Sequence, residues 1–361
     1  MLSDVARPGV VLLLLSILVG GGQLPAQLVK GQVTVAATGA PLGGALVTLA
    51  DSTGSVRART VSGRTGAYAL FAPGTGRWML RVAAIGFAPE TIADVEVGAV
   101  AAVRDVALTE RPFELPELVT VSSGEACQVA PGTGPVVERL LAEAATALGL
   151  VEATIDSRRL EFVTESRQVR LGIGVGDTLR HAAINRSRAA WPLASADQET
   201  LKSGGFVHDA GTLAPAIGYS EESGPTYFGP DLQVLVAPWF LASHCFNLEP
   251  DLGGDSLVVR FTPRRSSNRV DLEGHLIIHR TDLTLRQLNF QYVGLPNWVP
   301  PQGAGGEVHF ERLPNGLWIT RAWLLRAPIE NRRGALGERR GSSFGGWAEL
   351  GGRVLEIVGG S

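Results

Sequence analysis

The chain is poor in lysine. Only Lys30 and Lys202 occur, and every other basic residue except histidine is arginine. The formal net charge is −3 over 361 residues. There is no basic excess to attract a polyanion, which removes the electrostatic case for a nucleic-acid partner. Outside the N-terminus no apolar run is long enough to cross a bilayer, which takes about 20 residues. The catalytic signatures are also missing. There is no P-loop, no H-E-x-x-H and no carboxypeptidase-type H-x-x-E. These absences leave no catalytic residue and no cofactor to predict.

Cysteine is nearly absent, with Cys127 and Cys245 alone. In an oxidising compartment an even pair favours one disulfide, closing a loop of 117 residues. The alternative is two buried thiols. His244 beside Cys245 has no second ligand pair in the sequence, so no metal site is predicted.

What is present begins with a targeting segment. Arg7 supplies a positive charge, Val10 to Val19 is an apolar run of ten positions, and Gly20-Gly21-Gly22 breaks any helix. Leu24-Pro25-Ala26 offers a cleavage site with small Ala26 at the −1 position. Residues 1–26 are therefore expected to be a signal peptide, with an uncleaved anchor as the alternative. No cysteine follows for lipid attachment. The expected location is the periplasm, the outer-membrane surface or the medium of a Gram-negative-type bacterium, with no membrane span after cleavage.

Residues 27–110 alternate in short runs, such as Gln32-Val33-Thr34-Val35, Ala45-Leu46-Val47-Thr48-Leu49 and Trp78-Met79-Leu80-Arg81-Val82. Turn residues punctuate them at Thr38-Gly39, Gly43-Gly44 and Pro73-Gly74. That spacing predicts a β-sandwich. Thr38-Gly39-Ala40-Pro41-Leu42, Thr65-Gly66-Ala67-Tyr68 and Ile85-Gly86-Phe87 add a more specific pattern. On these residues the segment resembles the carboxypeptidase regulatory-like (transthyretin-like) domain. The resemblance implies a seven-stranded sandwich that serves as an accessory module, without a catalytic site of its own. Residues 111–134, with Pro112, Pro116 and Pro131, are expected to be a linker. Within it, residues 115–121 are similar to the segment that follows this domain in TonB-dependent receptors, but too few residues remain for a receptor barrel.

Residues 135–361 are expected to form one antiparallel sheet of seven to ten strands with a covering helix. Val136, Val137, Leu140, Leu141, Ala144 and Leu148 have helical spacing over 135–148, with Pro135 in the first turn and Gly149 as the C-cap. A second helix is expected over Asp177–Ile184. From Tyr227 onward strands dominate. Leu272, Leu276 and Ile278 share one face of a strand, and Asp271, Glu273, His275 and His279 the other. Pro314-Asn315-Gly316 reads as a hairpin turn. Gly346–Leu350 and Arg353–Val358 read as a terminal hairpin. The rhythm from Gly274 to Tyr292 resembles the periplasmic lipoprotein-carrier half-barrel, which implies a curved sheet with an apolar concave face. The fold class expected is thus mainly β: a transthyretin-like sandwich followed by a large curved antiparallel sheet with a covering helix.

Several motifs have both a chemical and a plain reading. Gly254-Asp255-Ser256-Leu257 spells the nucleophile block of a lipase family, but no D-x-x-H follows. His275 and His279 on one strand would stand about 13 Å apart, too far for one ion. Gly172, Gly174 and Gly176 do not have the dinucleotide-binding spacing. Tyr227-Phe228 and Trp239-Phe240 are core if buried, and ligand contacts if exposed. Trp239, Phe240 and Trp298 are the ligand-contact candidates. Three functions stay open. The first is a non-enzymatic envelope protein that binds or scaffolds, holding a lipid, a lipidated partner or a protein segment on an apolar face. The second is a carbohydrate-binding envelope protein, and the third a hydrolase of unknown type dependent on Ser256.

Overall fold

The computed structural model describes residues 27–111, 134–157, 160–172, 178–187, 196–208, 225–230, 232–235, 237–249, 254–264, 269–333 and 341–359. The predicted signal peptide, most of the predicted linker with Cys127 and the 115–121 segment, and Gly174 and Gly176 lie outside them.

Eight short strands build the N-terminal module: β1 (Leu28–Val35), β2 (Leu46–Ala50), β3 (Val56–Val61), β4 (Ala67–Phe71), β5 (Gly76–Ala83), β6 (Glu90–Val97), β7 (Ala102–Val103) and β8 (Val106–Leu108). One antiparallel sheet runs β3-β2-β5-β6. The other holds β4 antiparallel to β1, with β7 and β8 both parallel to β1. The break between β7 and β8 is local. The Arg104 amide donates to the Lys30 carbonyl at 2.9 Å, and the Gln32 amide donates to Asp105 Oδ1 at 2.8 Å. Counted as one interrupted strand, they give the seven strands the resemblance implies. Val29, Val33, Val47, Leu49, Leu80 and Val82 fill the space between the sheets. Tyr68 is buried there, and its hydroxyl donates to the Arg104 carbonyl at 2.6 Å.

The second part opens with α1 (Gly134–Asp156). The helix runs well past the predicted end. Gly149 is not a cap but a point of close approach, since a Cβ there would sit 2.5 Å from Leu46 Cδ2 on β2. Small residues on that side let the helix lie directly on the sandwich. Nine strands then pair antiparallel: β9 (Leu160–Gly172), β10 (Thr178–Ser187), β13 (His244–Leu248), β14 (Ser256–Pro263), β15 (Asp271–His279), β16 (Leu285–Val293), β17 (Gly305–Arg312), β18 (Trp318–Arg333) and β19 (Gly341–Gly359). Their order is β10-β9-β19-β18-β17-β16-β15-β14-β13. Small elements cross over between β10 and β13: α2 (Gln198–Gly204), β11 (Val207–His208), β12 (Thr226–Tyr227), α3 (Leu232–Leu235) and α4 (Pro238–Ser243).

Two expected elements are corrected. The helix expected over Asp177–Ile184 is strand β10, paired along its length with β9. Leu179, Ala182 and Ala183 imitate helical spacing, but a long neighbouring strand supplies ladder bonds that outweigh local preference. The expected terminal hairpin is a single strand, β19. Gly351 and Gly352 do not turn there. A Cβ on Gly352 would meet the Trp323 ring at 2.5 Å and the Glu165 carbonyl at 2.4 Å, so glycine makes room for the neighbouring strands.

The predicted alternation on β15 and β16 is observed. Leu272, Leu276, Ile278, Leu288, Phe290 and Tyr292 are buried, and their neighbours are not. α1 lies against β13, β15, β16 and β18 on one side and against β2 and β3 on the other. Both flanks of the helix are accordingly buried, the sheet side by apolar residues and the sandwich side with charged pairs among them. Leu46 and Val61 of the sandwich belong to the same apolar cluster as the sheet face. The sandwich, the helix and the sheet are three stacked layers. Each fully buried Leu, Val or Phe in them contributes roughly 1.5–3 kcal/mol.

This packing changes one functional expectation. The apolar sheet face proposed for a lipid or lipidated partner is filled by the chain itself, by α1 and by Tyr227, Phe228 and Phe240. Tyr292 donates to the Phe228 carbonyl at 2.9 Å and packs edge-on against Tyr227 with ring centroids 5.4 Å apart.

Candidate functional site

A cleft of about 510 Å³ opens where α2, α4 and the β14–β15 connection meet. The size falls within the ~300–1,000 Å³ of small-molecule sites. Leu201, Phe206, Ala242 and Val270 give it an apolar floor, and Trp239, half-buried, forms a wall. Its charged residues are Lys202, Arg264, Arg269 and Asp271, with Ser243 adding a hydroxyl.

Local structure explains why these side chains converge. Asp197 caps α2, accepting from the Thr200 amide at 3.0 Å. Several capping bonds hold the Asp197 carboxyl below its ordinary range, with the Thr200 side chain first among them. At the other end of α2, Gly205 adopts φ +83°, and a Cβ there would meet the Val270 carbonyl at 2.4 Å. Only glycine permits both. The Phe206 amide then donates to the Val270 carbonyl at 2.9 Å, which ties the helix end to the start of β15. Arg269 closes the same corner, its Nη1 donating to the Lys202 and Ser203 carbonyls at 2.6 Å each.

α4 is begun by Pro238 and ends against His244. The His244 ring is fully buried and stacks on Phe240 with centroids 3.9 Å apart. Its Nδ1 lies 3.0 Å from the Phe240 carbonyl and from Ser243 Oγ, and its Nε2 lies 3.0 Å from the Leu272 carbonyl and 3.4 Å from Asp271 Oδ1. His244 therefore pins α4 to β15 behind the cleft. Arg264 is anchored on the same joint: its amide donates to the Ser243 carbonyl at 2.9 Å and its Nε to the His244 carbonyl at 3.0 Å.

The ligand-contact candidates chosen from the sequence separate on this geometry, with Trp239 alone lining the cleft. Its Nε1 donates to Gln198 Oε1 at 3.3 Å, which orients the indole. Phe240 is fully buried between His244, Phe206 and Phe261 and is core. Tyr227 and Phe228 are core as well. Trp298 is half-buried in the loop between β16 and β17 and does not line the cleft. Cys245 is buried next to His244, and no cysteine among the described residues is free. Lys202, Arg264, Arg269 and Asp271 were not selected from the sequence as site residues. Lys202 comes from α2 and the other three from the β14–β15 connection and the first residue of β15, with no motif in common.

The remaining motifs take plain roles. Ser256 stands opposite His279 in the strand register, but its hydroxyl donates to Asp255 Oδ1 at 3.2 Å. His279 Nδ1 is 2.6 Å from Asp282 Oδ1 in the turn that follows β15. His275 faces Glu249 at 3.2 Å. Among the described residues no group of three His, Cys, Asp or Glu is placed to hold a metal ion. No helix among them is long and apolar enough to cross a membrane. A second cavity of about 740 Å³ follows the seam between the sandwich, α1 and α4. Its Arg59 is paired with Glu152 and Asp156 of α1, which makes this the joint between the layers.

The fold and site define a two-part, mainly β protein with a small cleft of mixed apolar and charged lining beside its sheet domain. Residues 28–109 match the family model of the carboxypeptidase regulatory-like domain, so the N-terminal sandwich is a domain of that kind. The match leaves residues 110–361 unassigned. Among solved structures, the chain is similar to the group B streptococcus pilus 2b backbone protein at 14% identity and TM-score 0.19, over 23% of this chain and 41% of that one. It is similar to a chain of a type II cohesin–X-dockerin complex from Acetivibrio cellulolyticus at 19% identity and TM-score 0.17, over 23% and 52%. It is also similar to a candidate carbohydrate-binding protein from Bacteroides uniformis ATCC 8492 at 11% identity and TM-score 0.22, over 75% and 100%. The chain thus spans about half or less of the first two. At these TM-scores none of the likenesses assigns a function. A comparison with curated proteins found no match.

Proposed function

We propose that the chain is a non-enzymatic exported binding protein whose Trp239 cleft takes a saccharide. The observation that carries this reading is the indole of Trp239, part-exposed on the wall of the cleft and held by Gln198, with hydrogen-bonding groups around it. A flat aromatic face beside polar side chains suits a sugar ring, which has an apolar face and a polar rim. The filled sheet face takes support away from lipid carriage and leaves the cleft as the better site. The sandwich acts as an accessory layer that holds α1 and so the sheet.

We place the mature chain outside the cytoplasm, beginning near Gln27 after loss of residues 1–26. Its domains are 27–110 and 135–361, joined by a linker at 111–134. A Cys127–Cys245 disulfide would tie that linker to β13.

The test is retention of the mature protein on immobilised oligosaccharides, followed by titration calorimetry with any that bind. Trp239→Ala should abolish binding and Trp239→Phe should keep part of it. Failure of every oligosaccharide to bind the native protein, or equal binding by Trp239→Ala, would overturn the reading.

A further inference from the structure

We infer that the saccharide taken by the Trp239 cleft is acidic, carrying a carboxylate or sulfate group. This rests on the saccharide reading above and names its class.

The inference starts from charge. The whole chain is slightly acidic, at −3. The cleft has the opposite sign, with Lys202, Arg264 and Arg269 against Asp271. Lys202 is one of only two lysines in the chain. A local positive surface on an acidic protein is not the background composition of the chain showing through.

The anionic group in the cleft is already engaged. Asp271 Oδ1 accepts the Leu272 amide at 2.9 Å and lies 3.4 Å from His244 Nε2. It stands in the wall at the start of β15, and its single negative charge leaves the three cations in excess. Glu199 reaches Lys202 only at 3.8 Å and is almost wholly exposed, so it screens that ammonium weakly.

The cations are held in place before any ligand arrives. Arg264 is fixed through its backbone amide and its Nε, both bonded to the α4–β13 joint. Among the described residues no other hydrogen bond or ion pair engages its guanidinium, so both Nη groups keep their donor capacity for a ligand. Arg269 is fixed by the last carbonyls of α2. Those carbonyls form the negative end of the helix and would otherwise repel an anion. Arg269 lies across them and covers that negative end. A guanidinium anchored at one edge, as that of Arg264 is, offers its remaining N–H groups to an oxyanion at little entropic cost. Trp239 in the same cleft supplies the surface for the sugar ring.

The experiment compares three probes on the mature full chain: a neutral galactose trisaccharide, the galacturonic acid trisaccharide and a sulfated galactose trisaccharide. Calorimetry is run at low and at high salt. At least one acidic probe should bind about tenfold tighter than the neutral one, and the gap should close as salt rises. Preference for the carboxylate or for the sulfate then identifies the oxyanion. Arg264→Ala should remove most of that gap. Lys202→Ala, at an exposed position, serves as a second variant and should narrow the gap with no change in melting temperature. Equal affinity for neutral and acidic probes, or a gap unaltered in both variants, would overturn the acidic assignment while leaving the saccharide reading in place. No binding of any probe, with no saccharide retained in the wider screen, would overturn both.

Discussion

Glu143 on α1 accepts a hydrogen bond from the backbone amide of Gly86 in the sandwich at 3.1 Å. The same carboxylate receives Arg139 Nε at 2.6 Å, and Arg139 Nη2 donates to the Arg111 carbonyl at 2.9 Å. Both side chains are buried, at 7% and 5% exposure. A buried ion pair is thus part of the seam that joins the sandwich to the helix.

Breaking that pair from one side strands a buried charge. Glu143→Ala should cost about 3–5 kcal/mol in urea unfolding. Burial, the largest influence, pushes the Glu143 carboxyl up, while the Gly86 amide and Arg139 pull it down. A carboxyl raised in the folded state takes up a proton on folding. Its contribution is complete below the unfolded value and is lost as pH rises through the folded value. Native stability relative to Glu143→Gln should therefore improve on acidification from neutral pH toward the ordinary glutamate range. A difference that is constant over that window would remove Glu143 as the source.

Gly274 in the centre of β15 has no room for a side chain. A Cβ there would stand 2.0 Å from the Asn289 carbonyl and 2.8 Å from Phe261 Cζ. Gly274→Ala should destabilise by about 1–3 kcal/mol, or more if the ladder to β16 separates. Thermal unfolding of the variant checks it, and an unchanged melting temperature would refute the close approach.

Tyr292 is buried and its hydroxyl satisfies the Phe228 carbonyl. Burial pushes this phenol well above its ordinary value, so it stays protonated and donating. Tyr292→Phe should cost about 1–3 kcal/mol, because the carbonyl loses its partner in an apolar surrounding. A neutral result would mean that water reaches the carbonyl.

The Cys127–Cys245 bond is tested by mass. Mature protein purified without reductant should be two hydrogens lighter than the reduced chain. Reduction should lower stability by about 4–5 kcal/mol for a loop of 117 residues in the chain-entropy model. Identical masses before and after reduction would show two thiols. The same spectrum reports whether the chain begins at Gln27.

Much of the architecture was legible because it is local. The Thr38–Gly39 turn, Tyr68 after Gly66 and the Pro314-Asn315-Gly316 hairpin each depend on residues adjacent in sequence, and each stands as expected. The two-residue alternation on β15 and β16 was equally readable, since one face meets a core. What failed lay at the end of α1, where Gly149 is a close approach and not a cap, and at the long strands. β10 looked helical and β19 looked broken, because their conformation is set by β9 and β18, which lie beside them in space.

The site divides along the same line. Trp239 could be chosen from sequence as an aromatic in a proline-flanked segment. Arg264, Arg269 and Lys202 could not, since each is an ordinary exposed cation until α2, α4 and the β14–β15 connection bring them to one cleft. By itself the sequence determined a mainly β protein with a carboxypeptidase regulatory-like sandwich, because alternation and turn chemistry act over a few residues. The tertiary structure alone decided that α1 would be buried on both flanks, that the apolar sheet face would be closed, and that the cations would converge. Those outcomes depend on which surfaces meet, and packing between distant segments is not written in any local period.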